Sequence, residues 1–209
     1  YDIQGSGNTS PLLGQTVSTS GVVTKVNNNG FFLQDPNADT NPSTSEGIYV
    51  FTSTVPTVTV GQAVTLSGKV AEFNTGAATN TLTASHTITE LTTPSNITVT
   101  SSGNSITPTV ITLPATEAQL EAVEGMLVTV NTQLTASQNY FQGRYGQVTL
   151  SAAGRLEKPT NKFRPSSVDA INMAASNAQR QILLDDGTSQ QNPNRTPYIG
   201  ADNTLRAGD

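Results

Sequence analysis

Alternating runs of Thr and Val, glycines inside two of the longest runs, and clusters of Asn, Gly, Pro and Ser between them predict an all-β chain with two short helices. Thr and Val fit a pleated, half-buried surface. A glycine within a strand marks a bulge or a sharp bend. Turn-forming clusters at short intervals suit a small barrel or a sandwich.

The first long run, 16–26 (TVSTSGVVTKV), alternates and carries Gly21 inside it. Asn27, Asn28, Asn29 and Gly30 follow as a turn, because Asn and Gly tolerate positive φ. A second strand is expected at 31–34 and a third at 47–52 (GIYVFT). The fourth, 63–73 (AVTLSGKVAEF), again has an interior glycine, Gly68, and a fifth is expected at 79–91. Five strands within the first 92 residues, two of them glycine-bent, fit an OB-like barrel, with a sandwich as the alternative.

Residues 93–115 are rich in Thr, Ser and Pro and read as an extended connector that lays a strand or two on a neighbour. Thr116 and Gln119 match a capping box, starting a short helix that Gly125 ends. From there, residues 116–209 read as a second, incomplete OB-like unit. The 125–130 stretch echoes 14–19, 147–151 echoes the second strand, and 205–209 echoes 58–62, the lead into the fourth strand. A helix is expected within this unit at 167–180, with Val168, Ile171, Ala175, Ala178 and Ile182 as its apolar stripe.

Composition narrows the function classes. Only 12% of residues are charged and there is no cysteine, which excludes disulfides and thiolate metal sites. The Ser/Thr/Asn-rich, Lys-poor composition points to an exported protein. The start at Tyr1, without a charged and apolar leader, reads as a mature or trimmed product. No apolar run reaches the 18 or so residues of a membrane span. The net charge of −5 is unevenly distributed: residues 1–139 hold nine acids and two bases, and residues 140–209 hold six acids and eight bases. A polyanion contact therefore belongs in the second part.

Catalytic groups are scarce. The one histidine, His86, falls in an expected strand, which favours a structural role. No nucleophile-elbow serine or phosphate-cradling glycine loop is present. A candidate calcium loop follows the second strand, where Asp35, Asn37, Asp39 and Glu46 place oxygen side chains at positions 1, 3, 5 and 12 and Asn41 stands at position 7, where such a loop uses the backbone carbonyl. Position 6 is Thr40 rather than Gly, and the flanks are strands, so an Asx-turn-rich surface loop is the alternative. Asp185, Asp186 and Gly187 form a weaker second candidate. A candidate nucleic-acid patch comprises Tyr140, Phe141, Arg144, Tyr145, Arg155, Lys158, Lys162, Phe163 and Arg164. Aromatics stack on bases and cations neutralise phosphates. The alternative is that the aromatics are core and the cations a solvated rim.

The segments YDIQGSGNTSPLLGQTVSTSGVVT, GFFLQDPNADTNPSTSEGIYVF and VGQAVTLSGKVAEF resemble the OB-like module of large secreted bacterial endonucleases. LEAVEGMLVTV, NYFQGRYGQVTLSAAGRLEKPTNKFRP and LLDDGTSQQNPNRTPYIGADNTLRAGD resemble the segment that follows it there. The resemblance implies a non-catalytic accessory region that engages extracellular DNA or positions a nuclease domain of the endonuclease/exonuclease/phosphatase superfamily, a domain expected to lie beyond Asp209. A β unit lacking its last strands has an open edge, and open edges recruit strands. The alternative expectation is therefore assembly with other copies of the chain, head to tail, into an extracellular filament.

Overall fold

The computed structural model describes residues 1–76, 80–81, 83–188 and 190–209. The chain is mostly β and divides into two compact units. The first comprises residues 1–110 and 117–129, and the second residues 111–116 and 130–209. The charge asymmetry of the sequence coincides with this division: all nine acids and both bases of residues 1–139 fall in the first unit.

The first unit is a closed barrel of β1 (Thr16–Asn27), β2 (Gly30–Gln34), β3 (Gly47–Phe51), β4 (Ala63–Phe73) and β5 (Ile88–Ser101), ordered β1-β2-β3-β5-β4. β1 serves two neighbours. Its first half pairs with β4 from Thr16↔Lys69 to Val22↔Ala63, and its second half pairs with β2 from Val22↔Gln34 to Asn27↔Gly30. The change of partner falls at Gly21 and Val22. A Cβ on Gly21 would lie 2.7 Å from the Gln34 carbonyl oxygen, so only glycine lets the strand bend this closely over β2. The barrel closes where β5 runs parallel to β3 at Tyr49↔Glu90 and Val50↔Leu91.

Alternation does the rest. Val23, Phe31, Leu33, Ile48, Val50, Val64, Leu66, Val70 and Leu91 form one apolar core with Val58, following the alternation of the strands except at crowded points such as Val22, Gln34 and Glu90, which are buried as well. Fully burying each such side chain contributes roughly 1.5–3 kcal/mol.

The first four strands fall where the sequence places them; the fifth does not. Of the expected 79–91 strand, Thr79 and Leu82 lie outside the described residues. β5 begins at Ile88 and continues through nine residues of the connector, which pair with β4 as the strand that the connector was expected to lay on a neighbour. Only Thr89, Glu90 and Leu91 are buried in it, so its second half shows no apolar face. Pro94 sits where the β4–β5 register shifts between Ser67 and Lys69, and Thr93 and Asn96 take positive φ there. A proline at a bulge is compatible with a strand because no ladder N–H is needed at that point.

Residues 117–129 belong to the barrel unit. A short helix, α1 (Glu117–Glu121), leads to Glu124, whose Oε1 accepts the Thr89 N–H at 2.8 Å and the Gln4 amide at 3.3 Å. Ser45 donates to the Glu124 carbonyl at 2.6 Å, and the Leu127 N–H donates to Gln34 at 2.8 Å. These bonds anchor the segment to β2, to β5, to Gln4 and to the loop ahead of β3. A two-stranded ribbon follows, β6 (Thr109–Ile111) with β7 (Val128–Val130). The 125–130 stretch, expected to start a second barrel, is used here instead.

The second unit is built on one antiparallel sheet ordered β10-β9-β8, from β8 (Leu134–Gln138), β9 (Gln147–Ala152) and β10 (Gln181–Asp185). It differs from the barrel restart expected from the sequence echoes. Residues 208–209, expected to lead into another strand, instead bond to Ala136 of β8: Ala136 N–H to the Asp209 carbonyl, and Gly208 N–H back to the Ala136 carbonyl. Two further helices occur, α2 (Gln142–Tyr145) and α3 (Val168–Gln179). The Ser167 hydroxyl caps α3 by accepting the Ala170 N–H. The buried side of α3 is set by Ala170, Met173 and Asn177; Val168 and Ile171 of the expected apolar stripe are 71% and 59% exposed. Asn177 is turned inward because its amide donates to the Glu157 carbonyl.

Burial pushes the Glu124 carboxyl up to about 7, against the Thr89 N–H that holds it down. Burial also raises Glu90 and Glu121, with Glu72 adding repulsion to both. With a folded pKa above the unfolded one, the native state binds more protons between pH 4.5 and 7. Stability is therefore expected to fall as pH rises through that window. Glu124→Gln keeps an acceptor for Thr89 and removes the charge. Urea titrations should show it flattening the fall and gaining about 2 kcal/mol over the parent at pH 8, after discounting for solvent screening.

Candidate functional site

Two concave regions contain the residues singled out in the sequence. The first, about 470 Å³, lies beside the 35–46 loop and is lined in part by Asp35, Asp39, Asn41 and Glu46. The loop is closed by its own hydrogen bonds. The Asp35 N–H donates to the Glu46 carbonyl, and the Asp35, Asp39 and Asn41 side chains accept the N–H groups of Asn37, Asn41 and Ser43. Glu46 accepts the Asp39 N–H at 3.3 Å, and Thr44 donates to Asp39. Positions 1, 5 and 7 of the loop thus serve as Asx turns, a use of the same spacing that needs no cation. Among the described residues no group of three or more His, Asp or Glu is assembled to hold a metal ion. Asp185 and Asp186 likewise cap a turn, accepting the N–H groups of Gly187 and Thr188.

The second region is an open cleft of about 890 Å³ in the second unit. Arg155, Lys158 and Lys162 line it together with Gln138, Asn161 and Gln181. The cleft wall is a loop fixed at several points. Ala153 and Gly154 turn the chain after β9 with positive φ. The Arg180 guanidinium donates to the carbonyls of Ala152, Ala153 and Gly154 at 2.7–3.3 Å. Ser137 accepts the Leu156 N–H at 2.9 Å and is hydrogen-bonded to Ser151, both hydroxyls being buried. Asn177 holds the Glu157 carbonyl. Lys162 is paired with Glu157 at 2.7 Å, whereas Arg155 and Lys158 are exposed and make no ion pair among the described residues.

The sequence patch is split in two by the fold. Tyr140, Phe141, Arg144 and Tyr145 cluster around α2. Tyr140 packs edge-on against Phe141 with ring centroids 4.9 Å apart, Phe141 meets Tyr145 at 5.7 Å, and the Arg144 guanidinium lies 5.2 Å from the Tyr145 ring centre. These rings are not core: Tyr140 is 78% exposed and Phe141 42%. Buried Gln142 anchors the helix by donating to the Pro197 carbonyl, and the Asn192 N–H donates to the Arg144 carbonyl. Phe163 and Arg164 are exposed beyond a 3-10 turn at Pro159–Asn161 and do not line the cleft.

No family model matches the chain, and neither the curated proteins nor the solved structures include a significant match. The functional reading therefore stands on this geometry and on the segments quoted above.

His86 is not in a strand. It lies ahead of β5 and pairs through Nδ1 with Glu117 at 2.8 Å, both side chains being about half exposed. Asn8 donates to the same carboxylate. His86 therefore tethers the start of α1. Among the described residues no helix is long and apolar enough to cross a membrane.

Sequence reasoning missed Gln138, Ser137, Asn177, Gln181 and Arg180. Arg180 read as the last residue of a helix, and only the fold brings it under the 152–154 carbonyls. Charged donors to carbonyls contribute about 1.5–3 kcal/mol in total context. Arg180→Ala is expected to destabilise the second unit by about 2 kcal/mol. It should also speed amide exchange at Leu156 more than at Val148 in the centre of β9, read by hydrogen-exchange mass spectrometry or NMR.

Proposed function

We propose that this chain is a non-catalytic accessory region of an exported bacterial nuclease, and that its second unit engages DNA. The observation that carries the DNA reading is the pair of exposed cations, Arg155 and Lys158, which make no ion pair among the described residues and line an open cleft whose loop is fixed by hydrogen bonds. They sit in the unit that carries the net positive charge and an exposed aromatic cluster. Cations on a fixed loop attract phosphates at the cost of ordering their side chains but not the backbone that carries them. The barrel supports the wider reading. A five-stranded ring in the order β1-β2-β3-β5-β4, with β3 and β5 parallel, has the makings of an OB-like barrel. The nuclease context and the export rest on the resemblance of the quoted segments and on composition.

Fluorescence anisotropy with labelled DNA tests the proposal. Neutralising about two phosphates predicts a roughly tenfold weakening between 50 and 200 mM salt. Arg155→Ala with Lys158→Ala should abolish most of the binding. Affinity that is indifferent to salt, or unchanged in the double variant, would refute it.

A second reading, assembly with copies of the chain, is favoured by β10. Among the described residues it pairs with β9 alone, and Leu183 on it is 57% exposed. Unpaired strand edges recruit other strands. Negative-stain micrographs of the purified chain without DNA would then show filaments. A Leu183→Lys variant, with charge on the edge, should disperse them. Sedimentation at a constant monomer mass would rule the reading out.

A further inference from the structure

We infer that the cleft of the second unit takes an unpaired nucleic-acid strand in preference to a duplex, with bases entering the cleft and phosphates held at Arg155 and Lys158. The inference rests on the DNA reading above and adds which form of nucleic acid is bound.

Shape is the first argument. Proteins read a duplex by inserting a protruding helix or ribbon into a groove. Here the cations border a hollow of about 890 Å³, within the range of about 300–1,000 Å³ typical of small-molecule pockets. A base that is part of a paired stack cannot enter such a hollow, whereas an unpaired base can be splayed into it.

Lining is the second. Gln138, Asn161 and Gln181 bring amides that both donate and accept, which is what a Watson–Crick edge requires of a partner. Those edges are available only in an unpaired strand. The Asn177 amide nitrogen is already committed to the Glu157 carbonyl, so it braces the wall.

Charge is the third. Lys162 is neutralised by Glu157, which leaves two cations at this site. Phosphate contacts alone supply nearly all non-specific duplex binding, and two of them supply little. Binding of useful strength then needs base contacts and stacking. Tyr140 does not line the cleft; it follows Gln138 by two residues, is 78% exposed and is held edge-on by Phe141, where it can meet a base of the strand that lies outside the cleft. An exposed ring held in place is a stacking platform for an unpaired base.

The test is anisotropy of the full chain with a labelled oligothymidine about 20 nucleotides long and, separately, a hairpin duplex of matched charge. The expected result is at least about tenfold tighter binding of the single strand. Gln138→Ala with Gln181→Ala should narrow that advantage to about threefold or less, and Tyr140→Ala should cost single-strand binding about tenfold. All three positions are exposed, and circular dichroism checks that the variants remain folded. Equal affinity for the two forms would overturn this inference and leave the DNA reading standing. Binding of neither would overturn both. Heparin competing as well as the single strand would also overturn the inference, because charge alone would then be recognised.

Discussion

The first unit depends on one strand being shared between two neighbours. β1 pairs with β4 along one half and with β2 along the other, and a straight strand cannot do both while the sheet closes. The bend at Gly21, where a side chain would run into the Gln34 carbonyl, turns a five-stranded sheet into a ring. Once the ring is closed, alternation fixes which side chains face the interior, because a one-residue slip would turn every one of them outward. Phe31, Leu33, Val50 and Leu91 are fully buried for this reason.

Closing the ring also dictates where polar groups must be satisfied. Gln34, Ser45 and Gln4 are buried at the barrel, and each bonds to the 124–127 segment or to β3. Glu124 is the member that sits least comfortably, since burial costs more than its two donors return at neutral pH. A carboxylate held this way makes the anchoring of the segment sensitive to pH.

Among the described residues the second unit forms a three-stranded sheet rather than a ring, and its cleft loop is ordered by polar bonds. Arg180, Asn177 and the Ser137–Ser151 pair fix the loop that carries Arg155 and Lys158. These are long-range contacts between residues of ordinary appearance, and no spacing rule marks them. The 35–46 loop teaches the converse lesson. Its alternation of Asp and Asn was visible in the sequence, but the same spacing serves both cation binding and Asx turns. The hydrogen bonds of the loop follow the turn pattern.

By itself, the sequence determined the first four strands, the bend at Gly21, the existence of α3 and the concentration of cations in the second part. These are local properties, set by alternation, turn chemistry and capping within a few residues. Tertiary structure decided the rest. It extended β5 through a Thr/Ser/Pro stretch because an exposed ribbon needs a partner rather than an apolar face. It put Ala170, Met173 and Asn177 on the inner side of α3 and left Val168 and Ile171 exposed. It gave the 125–130 stretch to a ribbon with β6, and divided one run of aromatics and cations into a cluster around α2 and a cleft. Each of these outcomes depends on which distant backbone groups required a partner, and that information is spread across the whole chain.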